Sequence, residues 1–510
     1  MHNLLANWKP ETPDEWGPSK EGLSRALQPA VTARAQDFSA AAPRFANLDP
    51  TFVRAIFSGL SDAVRAGTHI DWDQAIHAAL SVTLHPDDGT DSGVGIEEDV
   101  VWRYAQRAAA SLLEAGASSE AENVIPAELL ERSIEALSPL ITHADPTPEH
   151  EEQYGGTNMD PLTLSLNTTR PSAVRAIARL ASRARSYLES EPGDREPLLR
   201  AIRSALQLLE TRLVPRRDPS LACAAAFGEE LGRLIWIDRS WVQIHSPHLL
   251  TQDPFGDVVL STALATYRPS RNLLDVIASA ARGITDRVAA GNVAVSGWRT
   301  DRSPVELVGD HLVMLRVQGA LDADDPLLTH FFAWAPVASR ARVLGHLGWL
   351  LMHTDDAPAD IIERARALWE SRAAAANNAE TTNAELVEFY WWIRSGKFEP
   401  SWWLPHLKQA SSAGGFDSNG MLGEALEEAA SSAPGLAAEI LEQLLTVRDQ
   451  PFQRYDLVEH APAIIAAALE SDHLSTVETG QRIMDSLGRG GHLRIIELVE
   501  QRRSIGGPTG

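Results

Sequence analysis

Apolar residues recur at helical spacing along most of the chain from about residue 20 onward. Within residues 50–66, Phe52, Ile56 and Leu60 lie four residues apart, so their side chains share one face of a helix. No sustained alternation of apolar and polar residues is found, although such alternation is typical of half-buried strands. The pattern therefore predicts an all-α fold with no substantial β-sheet.

Proline, glycine and acidic residues interrupt the periodicity and indicate how the chain is divided. Residues 143–160, HADPTPEHEEQYGGTNMD, carry no periodicity and predict a long loop at a domain boundary. The predicted parts are an extended N-terminal segment (1–19), an N-terminal helical subdomain (20–142), an acidic linker (143–160), a central helical domain (161–353), a C-terminal helical-repeat domain (354–503) and a flexible tail (504–510).

Helices in the last third of the chain follow one another after short breaks, including predicted helices at 359–377, 382–395 and 400–412. Pairs of such helices have about the length of TPR-like or HEAT-like units. Sequence identity between the pairs is low, so we expect an irregular α-solenoid of helical hairpins. Stacked hairpins bury a continuous core and leave an extended surface for a partner.

Two tryptophan pairs flank a predicted helix–helix turn in residues 388–407, EFYWWIRSGKFEPSWWLPHL. Adjacent residues on a helix point about 100° apart, so the two rings of a pair cannot face the same way. We interpret Trp392 and Trp403 as structural residues of a hairpin joint. The alternative is an exposed aromatic surface, for which Trp391 and Trp402 are the candidate partner-binding residues.

A further set of residues is predicted to fix the start of a long helix. Asp160 precedes Pro161, which is the arrangement of a helix N-cap followed by proline in the first turn. We predict that Asp160, Asn167 and Arg170 are structural residues that cap and brace this start.

Arginines at positions 175, 179 and 183 form a basic stripe along the same predicted helix. Our main interpretation is a solvated helix face. The alternative is a contact with an anion or an acidic peptide, which makes Arg175, Arg179 and Arg183 candidate partner-binding residues.

Length, charge and cysteine content limit the function classes. A chain of 510 residues exceeds one ordinary core, so several domains or a repeat stack are expected. The net charge of −24 argues against general nucleic-acid binding and against docking on an anionic membrane, and it favours a basic partner. Cys223 is the single cysteine, which excludes an intrachain disulfide. With no signal-peptide pattern and no long apolar stretch, we expect a cytoplasmic protein.

Motifs of common catalytic and metal sites are absent from the sequence, including the G-x-x-x-x-G-K-[ST] phosphate loop, G-x-S-x-G, H-E-x-x-H and C-x-x-C. The segment HPDDGTDSGVGIEED (85–99) places Asp87, Asp91 and Glu98 at positions of a calcium loop, but Ser92 stands where the turn glycine is required. We interpret it as an acidic solvated loop.

Histidines at 143 and 150, and at 245 and 248, lack a matching set of metal ligands. We therefore expect no metal, no cofactor and no catalysis by this chain. A helical hydrolase that uses the 85–99 acids or these histidines is the remaining enzymatic alternative.

Two segments of the sequence resemble parts of a known protein family. NMDPLTLSLNTTRPSAVRAIARL (158–180) and the region 389–500, which ends in SLGRGGHLRIIELVE, resemble the C-terminal helical regions of large bacterial antiviral STAND-type NTPases of the Avs kind. Pro171 departs from that pattern, in which a glycine is more usual. The resemblance implies a sensor region that binds a viral protein and controls an upstream NTPase and effector module. The chain itself lacks those modules.

Two functions are therefore carried forward. The first is a protein-binding helical-repeat recognition region of a bacterial anti-phage defence protein. The second is a stand-alone cytoplasmic helical-repeat adaptor or scaffold that binds a host protein.

Overall fold

The computed structural model describes the following residues: 1–9, 18–86, 101–118, 123–154, 159–190, 194–214, 217–298, 301–377, 383–412, 416, 418, 420, 422–446 and 451–506. Every regular element in these ranges is a helix, and they contain no strand. The predicted all-α class is confirmed. The solenoid arrangement stays a prediction.

The chain forms two compact units, the first made of Met1–Ile284 and Val293–Pro304 and the second of Thr285–Asn292 and Val305–Gly510. The helices of the first unit are α1 (His2–Ala6), α2 (Lys20–Ala33), α3 (Ala35–Ala40), α4 (Ala42–Phe45), α5 (Pro50–Arg65), α6 (Trp72–Thr83), α7 (Trp102–Ser118), α8 (Leu130–Leu137), α9 (Pro148–Tyr154), α10 (Pro161–Leu166), α11 (Thr169–Ser190), α12 (Glu196–Glu210), α13 (Leu221–Ile237), α14 (Arg239–Leu249) and α15 (Pro254–Thr266). Helix α16 (Arg271–Ala289) runs from the first unit into the second.

The second unit continues with α17 (Pro304–Val317), α18 (Pro326–Trp334), α19 (Val337–Met352), α20 (Ala359–Ala376), α21 (Tyr390–Arg394), α22 (Pro400–Ala410), α23 (Gly423–Ala430), α24 (Pro434–Leu445), α25 (Pro451–Leu469), α26 (Leu474–Arg489) and α27 (Ile495–Gly506). Single turns of 3₁₀ helix occur at Ala127–Leu129, Leu140–Thr142 and Ala384–Leu386.

Helix α5 shows how the apolar stripe of the sequence becomes core. Phe52, Ile56 and Leu60 are at most 1% exposed, and the helix packs against α2 and α7. Gly59 permits the close approach to α2, since a Cβ atom at this position would lie 2.8 Å from the Cβ atom of Val31. The stripe that predicted this helix also selects the face it buries.

Helix α11 lies at the centre of the first unit and packs against α7, α12 and α13. Because it is covered by neighbours on several sides, its arginines lie within reach of carboxylates on other helices. The predicted basic stripe can therefore form contacts within the first unit.

The predicted linker at 143–160 differs from the structure. It contains helix α9 (Pro148–Tyr154), and it lies inside the first unit. The carboxylate of Asp145 accepts a hydrogen bond from the backbone N–H of Thr169 (2.7 Å), and that of Glu151 accepts one from Ala222 (3.1 Å). These bonds tie the segment to two helices distant in sequence, so it does not separate domains.

Other predicted boundaries also shift. The division predicted at 353/354 lies within the second unit, and the N-terminal segment 1–19 contains α1. The predicted tail 504–510 begins inside α27.

The helix predicted at 382–395 is broken into a 3₁₀ turn at Ala384–Leu386 and the short α21. The break accompanies Glu385, which is 1% exposed and forms ion pairs with Arg372 (2.6 Å) and Arg340 (2.9 Å).

Candidate functional site

The basic stripe of α11 is not a solvated face at its first position. Arg175 is 3% exposed, and its guanidinium donates to the hydroxyl and the carbonyl oxygen of Ser165, both at 2.8 Å. The expectation that Arg175 contacts a partner is wrong, because the side chain is buried in the first unit.

Arg179 lies among three carboxylates of the same unit. Its guanidinium pairs with Glu114, with Glu229 (3.0 Å) and with Glu230 (2.9 Å). Burial alone would lower the pKa of Arg179, but the three carboxylates outweigh it and raise the pKa above its usual value. Burial raises the pKa of Glu229, against the opposing effect of Arg175. Arg179 therefore holds helices together and is not available to a partner.

Arg183 continues the stripe in the same way. It donates to the carbonyl oxygen of Ala117 on α7 (3.0 Å) and lies 5.9 Å from the ring centroid of Tyr187. The stripe as a whole binds the chain to itself.

The residues predicted to brace the long helix divide between two helices. Asp160 caps the short α10, where its carboxylate accepts from the backbone N–H of Thr163 at 2.7 Å. Asn167 ends the same helix and donates to the carbonyl oxygen of Thr163. Arg170 lies in the first turn of α11 and pairs with Asp218 at 2.5 Å. The long helix therefore starts at Thr169, two residues before Pro171.

The tryptophan joint has Trp392 at its centre. This side chain is fully buried, and its indole N–H donates to the carbonyl oxygen of Leu344 at 2.9 Å. Its ring lies 5.0 Å from that of Trp369 and 5.6 Å from that of Phe398. Trp369 belongs to the preceding helix α20, and no motif in the sequence links it to the joint.

The other three tryptophans are placed as follows. Trp403 is buried, and so is Trp402, whose indole N–H donates to Glu370 at 2.8 Å. The partner-binding alternative is wrong for Trp402, because its ring packs against Phe398 (4.4 Å) inside the joint. Trp391 is half-buried, with the guanidinium of Arg394 at 5.7 Å from its ring.

Metal-binding candidates find no support in the described ranges, where no group of three or more histidine, cysteine or acidic side chains could hold an ion. The calcium-like residues Asp87, Asp91 and Glu98 lie outside the described residues. The ring of His245 bonds to the carbonyl oxygen of Trp241, and that of His150 lies 3.3 Å from Asp145.

A concave surface with the composition of a recognition site lies elsewhere in the first unit, where the end of α13 meets the start of α14 and the turn before α16. It encloses about 370 Å³. We call it the Trp236 groove, and the side chains that define it belong to Ile235, Trp236, Arg239, Tyr267, Arg268 and Leu273.

One wall of the groove is rigid. Tyr267 follows the last turn of α15 and donates its hydroxyl to the backbone carbonyl oxygen of Glu229. Its ring lies so close to Gly232 that a Cβ atom there would be 2.5 Å from the ring. Burial, with Glu230 nearby, raises the pKa of Tyr267 to about 12, so the phenol stays a donor at neutral pH.

The two arginines of the groove differ in what they contact. Arg239 donates to Asn272 (3.3 Å) and to Asp275 (3.0 Å). Arg268 is exposed, and within the part of the chain that the structure describes it has no hydrogen bond or ion pair. Trp236 beside it keeps 42% of its surface exposed. The groove therefore exposes the indole of Trp236 and the unpaired guanidinium of Arg268 next to the rigidly held Tyr267.

No pattern in the sequence indicates this groove. Helix α13 is apolar on nearly every face, so its periodicity could not show that Trp236 points outward. Arg268 lies in a four-residue break, YRPS, and it comes near Trp236 only through the packing of α13 against α15.

Comparisons with known proteins add no assignment. A scan against protein-family models found no match to this chain, and a search of curated proteins found none either. In the described residues, no helix combines the length and the apolar character needed to cross a bilayer.

Proposed function

We propose that this chain is a protein-recognition scaffold that binds its partner at the Trp236 groove. The observation that carries the proposal is the joint exposure of Trp236 and Arg268 beside the ring of Tyr267. Tryptophan, tyrosine and arginine are the residue types that contribute most to protein–protein binding energy. A half-exposed indole and an unpaired guanidinium gain more from a partner than from water.

The groove fits a short segment that carries an acidic side chain next to an apolar one. The carboxylate binds Arg268, and the apolar side chain covers Trp236. The net charge of −24 favours a basic partner over the surface as a whole, so an acidic segment is repelled elsewhere and is attracted locally by Arg268. Charge thus gives specificity to this location.

The finer function that we propose is the recognition region of a bacterial antiviral NTPase, in the cytoplasm, which senses a viral protein and controls an upstream NTPase and effector. The support for this is the resemblance of residues 158–180 and 389–500. Under this proposal the chain binds and does not catalyse. The second candidate is a host-protein scaffold, which the same groove supports equally.

The test is affinity capture from phage-infected and uninfected bacterial lysates, with the wild-type chain, Arg268→Glu and Arg195→Glu as baits. Arg195 is an exposed arginine of the same unit, so its reversal matches the change in net charge. We expect a protein that binds wild type and Arg195→Glu and is lost with Arg268→Glu.

Capture from the infected lysate alone supports the viral target, and capture from both lysates supports the scaffold. Identical capture by all three baits, or capture from neither lysate, contradicts recognition at the groove.

A further inference from the structure

A second concave site of the first unit lies at a distance in sequence from the Trp236 groove. It is a cavity of about 580 Å³ between the turn at 142–148, the first turn of α11 and the turn that precedes α13. This volume is in the range of small-molecule sites. Its lining residues include three arginines and two acidic residues: Arg170, Arg212, Arg217, Glu151 and Asp218.

Arg170 forms the fixed floor of the cavity. Its Nε donates to Asp218, and its two Nη groups donate to the carbonyl oxygens of His143, Ala144 and Pro146 at 2.5–3.0 Å. These bonds occupy the guanidinium and hold the 142–148 turn in place. Arg170 therefore shapes the cavity and has little left for a ligand.

The guanidinium of Arg217 is also hydrogen-bonded within the protein. It donates to Thr251 and to Asp253, both at 2.6 Å, and its guanidinium lies 4.6 Å from the ring centroid of Phe255. It contributes positive charge at the edge of the cavity.

Arg212 differs from both. It forms a long ion pair (3.6 Å) with Asp218, whose carboxylate already accepts a hydrogen bond from Arg170. Its Nη2 makes a long bond (3.4 Å) to the carbonyl oxygen of the adjacent Thr211. Its Nε is buried and has no acceptor among the described residues. The Nη groups of Arg212 are thus held only by long contacts, and an anion in the cavity would give them a closer partner.

Glu151 occupies the other attractive position for an anion. Its carboxylate accepts from the backbone N–H groups of Leu221 and Ala222, both at 3.1 Å, and from the hydroxyl of Ser220, so it caps the start of α13. The positive end of that helix is therefore already filled by the protein itself. An incoming anion is directed to Arg212 and is repelled by Glu151.

We propose that this cavity binds a small anionic molecule whose phosphate or carboxylate group lies on Arg212. The planar guanidinium offers paired N–H donors that match either group. The fixed 142–148 turn makes the site preorganised, because little of the wall has to be ordered on binding.

The test is the thermal unfolding midpoint of the full chain titrated with inorganic phosphate, pyrophosphate or succinate at constant ionic strength, with sodium chloride as the blank. We expect a saturable rise with at least one of these anions. Arg212→Gln is expected to weaken the fitted affinity about ten-fold or more, which is the range for a charged hydrogen bond. Arg203→Gln, an exposed arginine on α12 that pairs with Glu196, is the matched control and should leave the affinity unchanged.

A second variant tests the placement of the anion. Glu151→Gln keeps one oxygen that accepts from Ser220 and Ala222, loses the acceptor of the Leu221 N–H group and removes the negative charge that repels an anion, so it should raise the affinity. Stronger binding of phosphate or pyrophosphate assigns a phosphorylated ligand, and stronger binding of succinate assigns a carboxylate. The absence of any saturable rise, a response that Arg212→Gln leaves unchanged, or weaker binding by Glu151→Gln would overturn the proposal.

Discussion

Replacement of Trp392 by alanine tests the packing of the tryptophan joint in the second unit. The side chain is fully buried, its ring contacts the rings of Trp369 and Phe398, and its N–H bonds to the carbonyl oxygen of Leu344. Deletion of a buried aromatic side chain of this kind costs about 3–5 kcal/mol of unfolding free energy. For a unit of this size, about 2–4 °C of melting temperature is lost for each kcal/mol, so the midpoint should fall by about 6–20 °C.

Two further variants make the measurement specific. Trp392→Phe keeps much of the apolar contact and loses the N–H bond, so it should cost about 1–2 kcal/mol. Trp298→Ala removes an indole that is 43% exposed and should cost less than Trp392→Ala, because less surface is withdrawn from water there.

The assay is thermal unfolding followed by circular dichroism, combined with hydrogen exchange of peptides from residues 384–410. A midpoint for Trp392→Ala equal to that of the wild type, with unchanged exchange in those peptides, would refute the assignment of Trp392 to the core.

Three further predictions follow from buried ionisable groups. Burial raises the pKa of Cys223 to about 12, with Asp218 adding to the effect. Its thiol should therefore not react with Ellman's reagent at pH 8 in the native chain and should react fully after denaturation. A fast reaction of the native chain would contradict the burial of Cys223. Arg179→Gln leaves Glu114, Glu229 and Glu230 without their shared cation and should cost about 3–5 kcal/mol in urea unfolding, whereas Arg203→Gln should cost about 0–1 kcal/mol. Burial lowers the pKa of His406 below its usual 6.5, against the opposing charge of Glu370, so the folded state resists protonation. The free energy of unfolding therefore decreases as the pH falls from 6.5 toward the lowered pKa. His406→Gln should show a smaller loss in urea midpoint between pH 7.5 and pH 5.5 than the wild type does.

The sequence predicted the parts of the fold that depend on local periodicity. The stripe of Phe52, Ile56 and Leu60 identified both a helix and its buried face, because the i, i+4 repeat is itself the packing surface. The cap at Asp160 was equally visible, since the carboxylate and the N–H group it binds are three residues apart.

Features that depend on long-range packing were not visible. The local pattern predicts a solvated Arg179, because its carboxylate partners are 50 or more residues away in sequence. The local pattern of residues 143–160 predicts a loop, because the groups that bond to Glu151 lie on α13, about 70 residues further along the chain.

The Trp236 groove was missed for a related reason. It combines the end of one helix with a turn some 30 residues later, and neither carries a motif of its own. The cavity at Arg212 likewise depends on three segments that the chain brings together only in the folded state.

The most direct test of the account is the affinity of the captured partner for Trp236→Ala and for Trp298→Ala. The two indoles are exposed to the same extent, 42% and 43%, and both lie in the first unit. Titration calorimetry should show that Trp236→Ala loses about 2 kcal/mol or more of binding energy, as expected of an interface hot spot, while Trp298→Ala binds like the wild type. Equal affinities for both variants and the wild type would show that the partner binds elsewhere and would contradict recognition at the Trp236 groove.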